Sequence, residues 1–254
     1  MKQRNLKKTF SPLIKLEFDN LLVGGCSFTY NNSEKHIVTW PYYLRDLCNF
    51  NSVIDCSLPG AGNYHISQSV MWSIECNNFD PDKTLVIVMW SGFQRDDCII
   101  NSGMLNDYPF VFNYTKNTVS AITGGNGGNG NTKINFLNNL EQFKTTESRS
   151  IENFLYINSL YNFLQNKNFN FLFLNYLDYT LPNRSNEKNI LNSLPKQIQN
   201  RYKQIMDTNV ENIYKFCLKN NLLTDDDFHP SPDGHLEWTK MHLVPYLAAK
   251  YLKN

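Results

Sequence analysis

The sequence predicts an α/β protein built on a parallel sheet. Short runs of branched and aromatic residues, each bounded by polar segments, have the character of strands buried on both faces. These runs alternate with stretches in which apolar residues recur every three or four positions, as they do in amphipathic helices. Strands that alternate with helices form parallel sheets covered by helices on both faces. The 254 residues contain no composition typical of a linker, so we expect a single domain spanning residues 1–254.

The apolar runs predict four strands, at residues 16–23, 53–56, 84–90 and 169–174. Between the second and third, a helix is indicated by apolar residues four apart: Ile66, Val70 and Ile74. Before the fourth, apolar residues alternate at spacings of three and four: Phe154, Ile157, Tyr161 and Leu164. Strands and helices are therefore predicted to alternate along most of the chain.

The carboxyl-terminal part predicts two further helices. One begins after Pro195 and is expected to continue through Lys219. The other covers residues 231–252, with a kink near Pro245 because proline lacks a backbone donor and crowds the preceding turn. Its apolar face comprises Leu236, Leu243, Leu247 and Tyr251.

Two regions interrupt this alternation. Residues 96–146 include the run GGNGGNGN at 124–131, which suits neither a helix nor a central strand. We interpret this region as a long insertion after the third strand, with either a mobile tip or Gly/Asn turns in a packed β-hairpin. Residues 176–194 are also expected to be irregular.

Charge and cysteine content exclude several functions. The formal net charge is only +1, which disfavours nucleic acid and anionic membranes as partners. No segment has the roughly 18 apolar residues needed to cross a bilayer, and the first residues do not form a signal peptide, so we expect a cytoplasmic protein. The six cysteines include no C-x-x-C pair, so we expect reduced thiols and no structural zinc site. No cofactor is expected.

The first strand ends in Gly24-Gly25-Cys26-Ser27, at the edge where open α/β sheets bind ligands. Glycines let the chain turn sharply there, which can expose the Ser27 hydroxyl. Alternatively, Ser27 caps the following helix. Cys26 is a second candidate nucleophile, although a small buried thiol is the commoner role for such a residue.

The segment TDDDFHPSPDGH carries Asp226 and His229 as D-x-x-H before the last helix. A serine hydroxyl becomes a good nucleophile when an imidazole takes its proton and a carboxylate orients that imidazole. A non-catalytic alternative is a solvated acidic turn that complements the dipole of the following helix. A metal site is a third alternative, in which the pair is joined by Asp225, Asp227, Asp233, His235 and His242.

Further donors follow the second and third strands. Gly60 lies in SLPGAGN, where glycines free backbone N–H groups to face a crevice, and Asn63 ends that segment. Gln94 and Arg95 follow the third strand in WSGFQR. Three consecutive strand ends thus supply a hydroxyl, backbone donors and side-chain donors. These are the groups needed to form and stabilise a tetrahedral oxyanion.

These segments together resemble the SGNH or GDSL-type hydrolases, which are serine esterases and lipases. Their first block, Gly-Asp-Ser-x-Thr, matches residues 25–29, their second-block glycine matches Gly60, and their D-x-x-H block matches residues 226–229. The resemblance implies a flavodoxin-like α/β/α sandwich. It also implies Ser27 as nucleophile, His229 as general base and Asp226 as its orienting acid. The N–H groups of Ser27 and Gly60 would line the oxyanion hole.

The chain departs from that pattern at two positions. Cys26 replaces the aspartate of the first block, which leaves the nucleophile in place. Gln94 replaces the asparagine of the third block. Loss of one oxyanion donor costs on the order of 10²–10³ in rate. If the amide of Gln94 cannot reach the oxyanion, Arg95 or Asn63 would have to substitute. We expect a serine esterase for small acyl groups such as acetate on a carbohydrate. The alternative is a non-catalytic binding or structural module on the same fold, in a homo-oligomer or larger assembly.

Overall fold

A computed structural model describes residues 13–31, 38–93, 96–100, 110–115, 118–121, 145–176, 194–206, 209–224 and 229–252. Its strands, in chain order, are β1 (Asn20–Gly25), β2 (Ser52–Asp55), β3 (Thr84–Trp90), β4 (Asp96–Ile100), β5 (Phe110–Thr115), β6 (Thr118–Ala121) and β7 (Asn170–Asn175). Its α-helices are α1 (Trp40–Cys48), α2 (Asn63–Asn77), α3 (Thr146–Asn166), α4 (Lys196–Ile205), α5 (Ile213–Lys219), α6 (Pro232–Trp238) and α7 (Val244–Tyr251).

The central sheet is parallel, with the strand order β2-β1-β3-β7. Helix α2 packs on one face beside α3, and α1 packs on the other face beside the carboxyl-terminal helices. This confirms the predicted three-layer α/β class, with an order of the flavodoxin type. All seven residues of β3 are buried, as expected for a central strand covered on both faces.

The first strand begins at Asn20, so the prediction of a strand from residue 16 was wrong at that end. The backbone N–H groups of Asp19 and Asn20 both donate to the carbonyl of Lys83, and regular pairing starts only there. Further upstream, the N–H groups of Leu13 and Ile14 donate to Leu47 at the end of α1. Leu16 and Phe18 therefore belong to the core without belonging to the sheet.

The single helix predicted after Pro195 is two helices. Helix α4 ends at Ile205, and Met206 already has an extended backbone. Asn212 starts α5, because its Oδ1 accepts from the Lys215 N–H while its Nδ2 donates to the Asn175 carbonyl at 3.1 Å. The predicted helix is therefore interrupted, and Asn212 bonds the start of α5 to the end of β7.

The last helical stretch contains a π-helical turn, Thr239–Leu243, between α6 and α7. The Val244 N–H bonds the carbonyl of Thr239, five residues back. Pro245 has no N–H to offer the carbonyl of Met241, four residues back. The wider turn lies where the sequence predicted a kink, directly before the proline.

Part of the predicted insertion forms a separate antiparallel sheet of order β4-β5-β6. The Gly/Asn run at 124–131 lies outside the described residues, as does most of the irregular region 176–194. No helix in the described ranges is both long and apolar enough to cross a membrane.

The close approach of β1 to α2 generates a prediction about Gly24. A Cβ atom at this position would lie 2.6 Å from Val70 Cγ2 and 3.4 Å from Ile66 Cγ2. We expect Gly24→Ala to lower the free energy of unfolding by about 1–3 kcal/mol, because buried overpacking forces its neighbours to shift. Urea denaturation measures this loss.

A double-mutant cycle separates this clash from a general effect of alanine. In a Val70→Ala background the colliding methyl group is gone, so Gly24→Ala should cost clearly less. An equal cost in both backgrounds would show that the contact with Val70 is not the cause.

Candidate active site

The central position of β1 places the turn after Gly25 at the middle of the carboxyl edge of the sheet. A Cβ atom at Gly25 would collide with the side chain of Thr29 and lie 3.2 Å from the carbonyl oxygen of Met89. The N–H groups of Thr29 and Tyr30 both donate to the carbonyl of Cys26, at 2.9 and 3.0 Å. Only glycine therefore fits at position 25, between the side chain of Thr29 and the backbone of β3.

The three reactive side chains of the turn have different environments. Cys26 is fully buried, which agrees with a packing role for its thiol. Thr29 is also fully buried: its hydroxyl accepts from Trp40 Nε1 at 3.3 Å, and its carbonyl accepts from the Thr39 hydroxyl at 2.6 Å. Ser27 remains partly exposed, so it is the side chain that an incoming ligand can reach.

Ser27 Oγ lies 2.7 Å from Nε2 of His229, a residue 202 positions away in the sequence. This contact favours the nucleophile interpretation of Ser27 over the helix-cap alternative. Helix α1 starts well beyond the turn, at Trp40, with Thr39 at its N-cap position. Trp40 is fully buried, and Pro41 lies in the first helical turn, where proline is well tolerated.

Bonds between the segments 222–224 and 229–231 hold His229 opposite Ser27. The N–H and the hydroxyl of Thr224 both donate to the carbonyl of His229, at 2.7 and 3.2 Å. Beside this pair, Leu223 and Pro230 form an isolated antiparallel bridge. Ser231 then caps α6 by accepting from the N–H of Gly234. These bonds join the segment after α5 to the start of α6 and fix the backbone at His229.

The other predicted members of the site are only partly described. Asp226, Gln94 and Arg95 lie outside the described residues, so their roles stay predictions. Gly60 has a positive φ of 77°, a conformation that favours glycine. Its loop is attached to β1 by a hydrogen bond from the Leu58 N–H to the Gly25 carbonyl at 3.1 Å.

Asn63 has a role that the sequence analysis did not assign. Its side chain is fully buried, its Nδ2 donates to the Ser91 carbonyl at 3.1 Å, and its Oδ1 accepts from the Ser91 N–H at 2.8 Å. The amide therefore joins the start of α2 to the end of β3. Donation to an oxyanion, for which Asn63 was a candidate, stays a prediction.

The metal alternative finds no support among the described side chains. Within the described ranges no three His, Cys, Asp or Glu side chains are grouped so that they could hold an ion. His242 lies on the π-helical turn, 3.3 Å from the Glu211 carboxylate. His235 is buried in α6, while Asp225 and Asp227 fall outside the described residues.

Comparison with known proteins gives distant structural similarity and no sequence match. No family model and no curated protein matches the chain. One solved structure is that of the psychrotrophic esterase EstA from Pseudoalteromonas sp., inhibited by monoethylphosphonate. It has a TM-score of 0.48 and 11% identity over 90% of this chain and 98% of the other. Another is a "putative lipolytic protein of G-D-S-L family" from Desulfitobacterium hafniense DCB-2, with a TM-score of 0.44 and 13% identity over 87% and 96%. Both TM-scores are below 0.5, so neither similarity assigns a function to this chain.

Sequence reasoning missed the residues that hold the site together. The sequence indicated Asn63 as a possible side-chain donor to an oxyanion. No sequence pattern identifies its actual partner, the backbone of Ser91. Thr224 lies just before the acidic run and gives no signal of its bond to His229. Asn153 is similar: it is a polar residue inside a helix whose Nδ2 donates to the Phe93 carbonyl at 3.0 Å.

The Asn63 bridge generates a prediction about stability. Asn63→Ala removes two buried hydrogen bonds and leaves a small cavity, so we expect the free energy of unfolding to fall by about 2–4 kcal/mol. Asn77→Ala is the matched control, since this exposed amide at the other end of α2 donates to Ser73 and should change stability by about 0.5 kcal/mol or less. Urea denaturation compares the two variants, and equal costs would contradict a bridging role.

The burial of His235 predicts acid sensitivity. Its side chain is 2% exposed, and burial, with a smaller contribution from the charge of His229, lowers the pKa of His235 from 6.5 to about 3. Between these pH values the unfolded chain binds a proton that the native state does not, so stability falls as pH falls below 6.5. Near pH 5 the loss should reach about 2 kcal/mol.

His235→Gln cannot take up this proton and serves as the comparison. Urea denaturation at pH 7, 6 and 5 should show the native sequence losing about 2 kcal/mol more than the variant over that range. Parallel pH dependence in the two proteins would exclude His235 as the origin of the effect.

Proposed function

We propose that this protein is a serine ester hydrolase in which Ser27 is the nucleophile and His229 the general base. The observation that carries the proposal is the 2.7 Å distance between Ser27 Oγ and His229 Nε2. A serine hydroxyl needs such a base within hydrogen-bond reach before it can attack a carbonyl. The partial exposure of Ser27 and the resemblance of its motif to the first block of SGNH hydrolases support the same role.

The reaction follows from this pair. Ser27 Oγ attacks the ester carbonyl while Nε2 of His229 takes its proton, and collapse of the tetrahedral intermediate transfers that proton to the departing alcohol. The acyl group is then bound to Ser27. A water molecule, deprotonated by His229, attacks this acyl-enzyme and releases the acid and free serine. Ester and water are consumed, and one alcohol and one acid are formed.

The remaining roles are proposed from the resemblance to the family. Asp226 would orient the imidazole and stabilise its protonated form, since it stands three residues before His229 in the D-x-x-H segment. The N–H groups of Ser27 and Gly60 would bind the oxyanion, with Gln94 in the position of the usual asparagine. Arg95 and Asn63 are the alternative donors. No cofactor or metal ion takes part in this scheme.

The proposed substrate is an ester of a small acyl group, such as an O-acetyl group on a carbohydrate. This choice rests on the absence of any lipase-like apolar lid pattern in the sequence and on analogy with the family. Loops on a rigid scaffold commonly supply specificity, so the segment of residues 96–146 is the proposed wall of the substrate site.

The test is hydrolysis of a chromogenic acetate ester by the native protein, Ser27→Ala and His229→Ala, each with and without a chelator. We expect each substitution to lower kcat at least 10³-fold, since triad members act as a unit. Chelation should have no effect. The same assay with butyrate and octanoate esters ranks the acyl chain length, and acetate should be preferred.

Two controls match the substituted residue types. Ser148→Ala changes a serine hydroxyl that donates to Thr145 at the start of α3, and His242→Ala removes an imidazole that contacts Glu211. Both should retain native activity. Equal, background rates for all five proteins on every ester would reject the hydrolase and favour the non-catalytic binding module.

A further inference from the structure

Phe28, the residue that follows the proposed nucleophile, lies against the imidazole of His229. The two ring centroids are 4.8 Å apart, and the ring planes are inclined by 34°. Phe28 is itself buried, with 5% of its side chain exposed. The turn that presents Ser27 to one edge of the imidazole therefore also covers one of its faces.

Behind Phe28 stands a second aromatic layer. The ring of Tyr176 lies 4.5 Å from the Phe28 ring, and that of Tyr214 lies edge-on at 6.4 Å. Tyr176 directly follows β7, and its carbonyl accepts from the Tyr214 N–H at 3.3 Å. This support connects the Phe28 ring to the edge strand of the sheet, so the ring has little room to move away from His229.

We propose that Phe28 is a positioning residue for His229 and that it sets the turnover rate rather than substrate affinity. The inference rests on the proposed ester hydrolysis. Contact with the Phe28 ring restricts rotation of the imidazole and holds Nε2 towards Ser27 Oγ. An aromatic face within about 6 Å also attracts a cation, so the same contact favours the imidazolium that forms in the transition state.

The structure supplies a matched comparison for this role. Phe216 is another buried phenylalanine, and its ring lies 5.0 Å from the imidazole of His242, which has no role in the proposed mechanism. Replacing either phenylalanine by leucine removes a ring that contacts a histidine and leaves a cavity of similar size. Only one of these two histidines contacts a serine hydroxyl at 2.7 Å.

The experiment measures two rates in Phe28→Leu, Phe28→Met, Phe28→Tyr and Phe216→Leu. The first is kcat and KM on the chromogenic acetate ester. The second is phosphonylation of Ser27 by an ethyl fluorophosphonate, followed by intact mass, in which the Oγ–P bond forms, fluoride leaves and His229 takes the hydroxyl proton. The second rate needs no knowledge of the natural substrate.

We expect Phe28→Leu and Phe28→Met to lower kcat and the phosphonylation rate about 10- to 100-fold, because small misplacements of a catalytic group cost rates of this order. KM should change less than threefold. Phe28→Tyr should restore most of the rate. Phe216→Leu should retain it, although we expect thermal unfolding to show both leucine variants to be less stable than the native protein. Phe28→Met keeps an unbranched apolar side chain if the leucine variant does not fold.

Three results would overturn the proposal. Native rates in Phe28→Leu or Phe28→Met would show that the contact has no catalytic effect. Equal losses in Phe28→Leu and Phe216→Leu would show a purely structural effect. A native protein that neither hydrolyses the ester nor reacts with the fluorophosphonate would reject the proposed function together with this inference, whereas the first two results leave the proposed function intact.

Discussion

The parallel pairing of β1 with β2 on one side and β3 on the other is the constraint on which the rest of the molecule depends. The registers Val23 with Asp55 and Gly25 with Met89 bring three strand ends to one edge of the sheet. Each end then delivers one segment, and these are the turn at Ser27, the loop at Gly60 and the segment after Ser91. A slip of one residue in either pairing would turn alternate side chains to the opposite face and separate these segments.

Hydrogen bonds from buried side chains to backbone fix the loops above this edge. Asn63 bonds Ser91 across the start of α2, and Thr39 bonds Thr29 across the start of α1. Asn153 makes the same kind of bond to Phe93, and the partly buried Thr224 bonds the carbonyl of His229. Loops are usually more mobile than the elements they connect, but these loops are bonded at defined points. The 2.7 Å contact between Ser27 and His229 is possible because both of its sides are held in this way.

The proposed catalytic histidine is held both by apolar packing of its ring and by hydrogen bonds to its backbone. The carbonyl of His229 is bonded by Thr224, Leu223 and Pro230 form a bridge beside it, and the imidazole lies against Phe28. In the helix that follows, Gly234 packs so closely that a Cβ atom would lie 2.7 Å from the Leu222 carbonyl oxygen and 2.9 Å from Cys217 Sγ. The absence of a side chain at Gly234 therefore lets α6 pack against the end of α5.

The sequence by itself determined the fold class, the extent of the most buried strand and the identity of the two residues that meet in the site. Continuous apolar runs and helical spacings are local signals, and β3 covers the predicted residues 84–90 because both of its faces are buried. The D-x-x-H segment and the Gly-x-Ser turn are local as well. Signals of this kind weaken at element ends: the strand predicted from residue 16 begins at Asn20, and the helix predicted through Lys219 is interrupted by contacts of Asn212.

Only the tertiary structure decided what each polar side chain bonds to. Asn63, a candidate donor in the sequence, has a backbone partner 28 residues away, and Phe28, an ordinary apolar residue in the sequence, covers the imidazole of His229. Neither partner is encoded by spacing, because chain separation does not determine which groups a folded sheet brings within 3 to 5 Å. The sequence supplied the chemistry of the side chains, and the registers of the parallel sheet supplied their neighbours.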